Sequence, residues 1–289
     1  MKNRSITHLL YADTVDMAGL PVRQAFPTNK VQQIDPFLLL HHADLKVPQH
    51  QEPRHGGVGP HPHRGFSPVT FIFKGGVHHR DSRGHDGVVY AGGAQWMNAG
   101  MGIIHSERPP DDIHEIGGRQ EIIQLWVNTP AEFKMEPPSY QPVHPENIPV
   151  FRTDDQRVSM AIVAGELFGL WGPAKTTGEV NAATLILKTG GRISVSLPSE
   201  HNALIYLLDG KLNTGGYGLV EAFHAAVFDK HGDRITLTAV ENSRALLVSG
   251  KPLNEKVVSH GPFVMNTETQ ILEAIRDYQM GKMGMLIEE

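Results

Sequence analysis

Two pairs of side chains in this sequence have the type and spacing to hold a metal ion. In His61-Pro62-His63 the imidazoles stand at i and i+2, which in a strand point to one face, and Pro62 keeps its predecessor extended. His105-Ser106-Glu107 repeats that spacing later in the chain. On neighbouring strands the two pairs would put three imidazoles and one carboxylate around one point. Such a set suits a divalent first-row metal and leaves positions open on an octahedral ion, as catalysis requires and a purely structural site does not. A lone His-x-His pair is usually a surface or packing feature. Two pairs in a glycine-rich strand context make the metal reading the better one.

The elements that must position these residues read as strands. From about Pro36 to Asn128, short β-branched runs such as Val69-Thr70-Phe71-Ile72-Phe73 and Ile122-Ile123-Gln124-Leu125-Trp126-Val127 alternate with Gly pairs, the texture of an all-β sandwich or barrel. Six prolines between Pro130 and Pro149 predict a stiff extended linker. After it the strand texture resumes, in Ala203-Leu204-Ile205-Tyr206-Leu207-Leu208 and Arg234-Ile235-Thr236-Leu237-Thr238 among others. A chain of 289 residues has room for two cores. The expected division is a metal-binding domain at 1–135, a Pro-rich linker at 136–150, and a second domain at 151–289. The second domain should end in the one convincing helix. Thr267 and Gln270 form its capping box, Ile271, Ala274, Ile275 and Tyr278 its apolar stripe, and Gly281 its stop.

Phe71-Ile72-Phe73-Lys74-Gly75 resembles Tyr206-Leu207-Leu208-Asp209-Gly210, and Tyr90–Trp96 resembles Asp229–Ile235, so the two domains read as copies of one fold. That matching sets Ser196 and Pro198 opposite His61 and His63, and Arg244 and Leu246 opposite His105 and Glu107. No metal set results, so the second domain is expected to be metal-free and kept for packing.

Composition removes several function classes. With 40% hydrophobic and 20% charged residues the chain is globular, and a net charge of −5 gives no reason to bind nucleic acid or an anionic membrane. No apolar run is long enough to span a bilayer, and the start lacks a signal-peptide core. The absence of Cys excludes disulfides, thiolate metal sites and Cys nucleophiles, and fits a cytoplasmic protein. Histidine is the outlier, with eleven of 17 between His41 and His114.

Other residues tempt. His41-His42 and His78-His79 are adjacent and face opposite ways in strands, so at most one of each pair lines a site, and a surface position or support behind a ligand is the better reading. Gln95 and Gln124 could hydrogen-bond a ligating His, and a plain sheet position is an equal reading. Trp96, Trp126, Phe66, Phe71 and Phe73 could line an apolar cavity, though core packing is the default. Gly57-Val58-Gly59 and Gly100-Met101-Gly102 lack the third Gly and the helix of a dinucleotide site.

Several longer stretches resemble the pirin family: Gly59-Pro60-His61-Pro62-His63-Arg64-Gly65-Phe66, Gly92–Gly100, Gly102-Ile103-Ile104-His105-Ser106-Glu107, Gln124-Leu125-Trp126-Val127-Asn128, Asp35–Leu39 and Gly261–Thr267. The resemblance implies a bicupin, two tandem jelly-roll-like β-sandwich barrels, with an iron-type metal in the first. His61, His63, His105 and Glu107 match the family's ligands. Where the family commonly has Glu-Thr, Ser67-Pro68 stand here. The resemblance further implies one Fe2+ per chain, and the same ligands would also take Mn, Co, Ni, Cu or Zn. It implies a dioxygenase using O2 on a flavonol such as quercetin, with Glu107 as the base for the substrate hydroxyl. The alternative is an iron-dependent redox-sensing regulator of a transcription factor or enzyme partner. A third reading is a barrel whose metal only stabilises it.

Overall fold

The computed structural model describes residues 2–17 and 19–288. The architecture is all-β, two cupin barrels with a helix, Glu268–Gln279, near the end. Among the described residues no helix is long and apolar enough to cross a membrane.

The chain divides into two compact units, but not contiguously: residues 1–39 join 146–252, and residues 40–145 join 253–289. This differs from the division expected at 135 and 151, and non-local pairing is the reason. Ile6–Tyr11 is an antiparallel neighbour of His224–Phe228, and Arg4 donates to the carbonyls of His201 (2.7 Å) and Pro198 (2.6 Å). The proline-rich stretch is not a free linker either. Ser139–Val143 forms an edge strand on Ala94–Asn98 with Pro142 opposite Gln95, a place where a missing N–H is tolerated. Val150–Arg152 pairs with Val158–Ala164 in the other unit's sheet.

The histidine-rich unit has a four-stranded sheet in the order Val58–His63, Ile103–Arg108, Gly76–Asp81, Asp86–Tyr90. Its strands in the larger sheet run Ser139–Val143, Ala94–Asn98, Phe66–Lys74, Gly118–Asn128, Phe37–Val47. A short helix, Asp111–Ile116, was not legible in the sequence. Residues 253–289 add a hairpin, Val258–His260 with Phe263–Met265, against which Ile271 and Ala274 of the long helix pack. The Thr267/Gln270 capping box is formed and Gly281 has φ 72°, as the sequence indicates. Tyr278 of the expected apolar stripe is exposed.

The other unit repeats the plan. Its four-stranded sheet runs Arg192–Ser196, Arg234–Ala239, Lys211–Thr214, Gly218–Glu221. Its larger sheet runs Ile6–Tyr11, His224–Phe228, Asn202–Asp209, Ser243–Gly250, Val180–Leu187, Val158–Ala164, Val150–Arg152. Arg192–Ser196 alternates exposed and buried residues, turning Ile193 and Val195 inward, and one apolar cluster draws on both sheets.

Candidate metal centre

Strand alternation assembles the site. Val58–His63 is the edge of the small sheet, which accommodates Pro60 and Pro62. His61 lies opposite His105 and His63 opposite Ile103, so His61, His63, His105 and Glu107 point to one side. The next turn requires Gly65: its φ is 86°, and a Cβ there would sit 2.0 Å from the Val264 carbonyl oxygen. Arg64 in the same turn is buried and donates to Asp277 of the long helix (3.1 Å) and to the Met101 carbonyl (2.6 Å).

Ligand atoms of His61, His63 and His105 all lie within 4.8 Å of one another. Each ring has its Nδ1 engaged: His61 with the Gly59 carbonyl (2.8 Å), His63 with the Pro262 carbonyl (3.4 Å), His105 with His79 Nδ1 (3.4 Å). The Nε2 atoms of His63 and His105 are buried and have no hydrogen-bond partner. Orphaned buried ring nitrogens carry a desolvation penalty unless something else binds them, and an open lone pair is what a cation needs. Burial, reinforced by the neighbouring imidazoles, holds His63 and His105 well below the ordinary histidine range, so both rings are neutral at physiological pH. The residues present therefore fit a divalent metal.

Glu107 is not within that 4.8 Å group. Its carboxylate accepts from Thr70 Oγ1 (2.6 Å) and Gln95 Nε2 (3.0 Å) on one oxygen and Gln124 Nε2 (2.7 Å) on the other. The two glutamines thus bind Glu107, a partner that neither reading of them in the sequence named. Tyr140 donates to Gln95 Oε1 (2.8 Å), and Trp126 Nε1 to Gln124 Oε1 (3.2 Å). Of the aromatics singled out, Phe66 and Trp126 stand beside His63, with centroids 5.0 and 5.5 Å away; Trp96 and Phe71 are core. Thr70, Phe66 and Pro68 share a strand face by alternation, so Ser67 of the Ser67-Pro68 departure turns the other way.

The support on the far side of His105 agrees with the reading of the His78-His79 pair, though the sequence did not single out Asp81. His79 is buried and donates from Nε2 to Asp81 Oδ2 (2.9 Å), while His78 goes outward to Asp86 (2.7 Å). Burial alone would raise the Asp81 carboxyl, but hydrogen bonds from His79, Arg83 and His85 outweigh it and hold it at about 2. The signal was present: His79-Arg80-Asp81 has the same i, i+2 spacing as the two ligand pairs.

Register now relates the two barrels. Gly75 and Gly210 both turn with positive φ, 72° and 82°; four residues on, His79 lies opposite Glu107 and Thr214 opposite Leu237. His61 pairs with His105 as Val195 pairs with Ile235. The counterparts of His61, His63, His105 and Glu107 are therefore Val195, Leu197, Ile235 and Leu237, all members of the apolar cluster. This corrects the pairing expected from the sequence, which set Ser196, Pro198, Arg244 and Leu246 opposite the four. Arg244 and Leu246 belong to the strand equivalent to Gly118–Asn128, where a matching register irregularity makes Arg244 the counterpart of Glu121. A separate grouping in that unit, Glu179, Glu200 and His201, has Lys251 Nζ 2.6 Å from Glu179, so an ammonium already compensates that carboxylate.

Residues 19–127 match the family model described as Pirin, and residues 182–284 match the Pirin C-terminal cupin domain. The chain belongs to the pirin family. Among pirin relatives, it is 37% identical over 272 residues to a pirin-like protein of Caulobacter vibrioides, covering 93% of this chain and 95% of that one. It is 38% identical over 266 residues to a Pseudomonas aeruginosa protein named provisionally as a quercetin 2,3-dioxygenase, covering 91% and 92%. A solved structure titled quercetin 2,3-dioxygenase from Acinetobacter baumannii superposes with a TM-score of 0.93 at 34% identity, covering 99% of this chain and all of that one.

Proposed function

We propose that this pirin-family bicupin is a metal-dependent dioxygenase of the Fe2+ type that cleaves a flavonol such as quercetin with O2. His61, His63, His105 and Glu107 would hold the ion. The observation that carries the reading is the pair of buried, unpartnered Nε2 atoms on His63 and His105, grouped with His61. The names of the Pseudomonas and Acinetobacter relatives support the substrate class.

A first-row metal held there would supply a Lewis-acidic, redox-active centre for the reaction with O2. The chain supplies the rest. Neutral imidazoles keep their lone pairs available. Trp126, half-buried beside His63 and packed on the fully buried Phe66, gives an aromatic face against which a flat flavonol ring can lie. Glu107 takes the proton of the flavonol 3-hydroxyl, and Thr70, Gln95 and Gln124 hold its carboxylate oriented for that transfer.

The test is to measure the metal as purified, reconstitute with Fe2+ without air, and follow O2 uptake with quercetin. Quercetin-dependent uptake supports the reading. No uptake with any of several metals, together with a partner affinity that differs between ferrous and ferric protein, would replace it with the regulatory reading.

A further inference from the structure

His79 and Asp81 lie behind His105, on the side away from His61 and His63, and the metal reading gives them no task. Their hydrogen bonds have a fixed polarity. Asp81 Oδ1 accepts two backbone N–H groups, from Arg83 (2.8 Å) and His85 (3.1 Å), which pins the carboxylate. Oδ2 then faces His79 Nε2 (2.9 Å) and His85 Nδ1 (2.8 Å). An ionised carboxylate only accepts, so His79 carries a proton on Nε2, and as a neutral ring it presents a bare Nδ1 to His105, 3.4 Å away. His105 then donates from Nδ1, which leaves its Nε2 as a lone pair. The His79 ring cannot turn to escape this, being 1% exposed and stacked on Tyr140 at 3.8 Å with the planes 4° apart.

We propose that Asp81 and His79 are positioning residues that dictate the tautomer of His105, so that its Nε2 is always the metal-facing lone pair. The inference rests on the metal reading above. It makes an unusual demand of Asp81→Asn, a nearly isosteric change. The two backbone N–H groups keep the amide oxygen at the Oδ1 place, so the amide NH2 takes the Oδ2 place and donates towards His79 and His85. His79 must then accept at Nε2 and carry its proton on Nδ1. His105 must accept in turn, and its own proton moves to Nε2, where it blocks the ligand lone pair. One amide therefore inverts the whole chain of donors.

The experiment is zinc and nickel titration by calorimetry on the full chain, with long-range 15N–1H NMR of the imidazoles to read tautomers. In metal-free wild type the expected forms are Nε2–H for His79 and Nδ1–H for His105. Asp81→Asn should move the His105 proton to Nε2 and weaken metal binding about 10- to 100-fold, the usual scale for losing a ligand's outer partner. His79→Phe keeps the stack on Tyr140 and removes both ring nitrogens, so its loss should be smaller. The double variant Asp81→Asn, His79→Phe should bind as His79→Phe alone does, a restoration that a merely structural role for Asp81 would not give. Wild-type affinity in Asp81→Asn, no rescue in the double variant, or a wild-type His105 already protonated at Nε2 overturns the proposal. The wild-type spectrum decides even if Asp81→Asn fails to fold. If His105→Ala binds metal as wild type does, the metal reading itself has failed; if only Asp81→Asn is without effect, the positioning role alone has.

Discussion

Strand for strand, the barrel holding His61, His63, His105 and Glu107 and the barrel holding Val195, Leu197, Ile235 and Leu237 follow one plan, with the same order in their four-stranded sheets. The substitution extends behind the first layer. Gln124, Thr70 and Gln95 lie abreast in one register, and Leu247, Ile205 and Ala226 lie abreast in the other. Each of these three apolar residues belongs to the core cluster. One barrel interior therefore gains about 1.5–3 kcal/mol for each large aliphatic side chain it buries. The other forgoes that to hold polar groups, and leaves the Nε2 atoms of His63 and His105 without partners. A duplicated frame can thus carry a site in one copy because the second copy need carry none.

The largest expected effect comes from forcing the apolar barrel towards the polar one. Leu237→Glu buries a carboxylate where the counterparts of its three donors are Ile205, Ala226 and Leu247, and should destabilise by about 3–5 kcal/mol in urea unfolding. A near-neutral result would break the register equivalence. A smaller effect comes from acid. Burial holds His41, in the histidine-rich barrel, at about 4. A histidine lowered in the folded state binds fewer protons there than in the unfolded chain, so stability falls as pH drops from about 6.5 to about 4. His41→Gln should remove up to about 3 kcal/mol of that acid sensitivity, read as shallower urea midpoints against pH, and an unchanged pH profile would show that the burial is not felt.

Metal should stabilise one barrel only. At a hundredfold excess over Kd it adds about 2.7 kcal/mol to the folded state, and His105→Ala should abolish the accompanying rise in Tm while Ile235→Ala keeps it. Because His63 and His105 are already neutral, their protonation should not weaken metal binding between pH 8 and 7, measured by competition with a chelator. Steep weakening between pH 8 and 7 would contradict this. Thr70→Val, which deletes one of the three donors to Glu107, should cost about 1–2 kcal/mol in the metal-free protein; Ile205→Val, its counterpart, about 1 kcal/mol by calorimetry.

The strands, the helix with its capping box and the two His/Glu pairs were legible because each is a local pattern: period-2 alternation, a cap and i, i+2 spacing. The support behind them was less so. His79 was visible only as half of an adjacent pair, and Asp81 not at all, since which side of a strand faces a ligand depends on the neighbouring strand. Gln95 and Gln124 were seen, but not their partner: from sequence nothing distinguishes a donor to Glu107 from a donor to a histidine. The proline-rich segment misled because proline favours a linker and an edge strand for the same reason, its missing N–H.

The sequence by itself therefore determined the all-β class, the duplication, the family and the candidate ligands. All follow from residue type and spacing along one stretch of chain. Tertiary structure decided which chain segments complete each barrel, how Arg64 and Asp277 tie the long helix to the turn beside His63, and which imidazole nitrogens are left without partners. These depend on pairings between residues far apart in the chain, whose register no local pattern encodes.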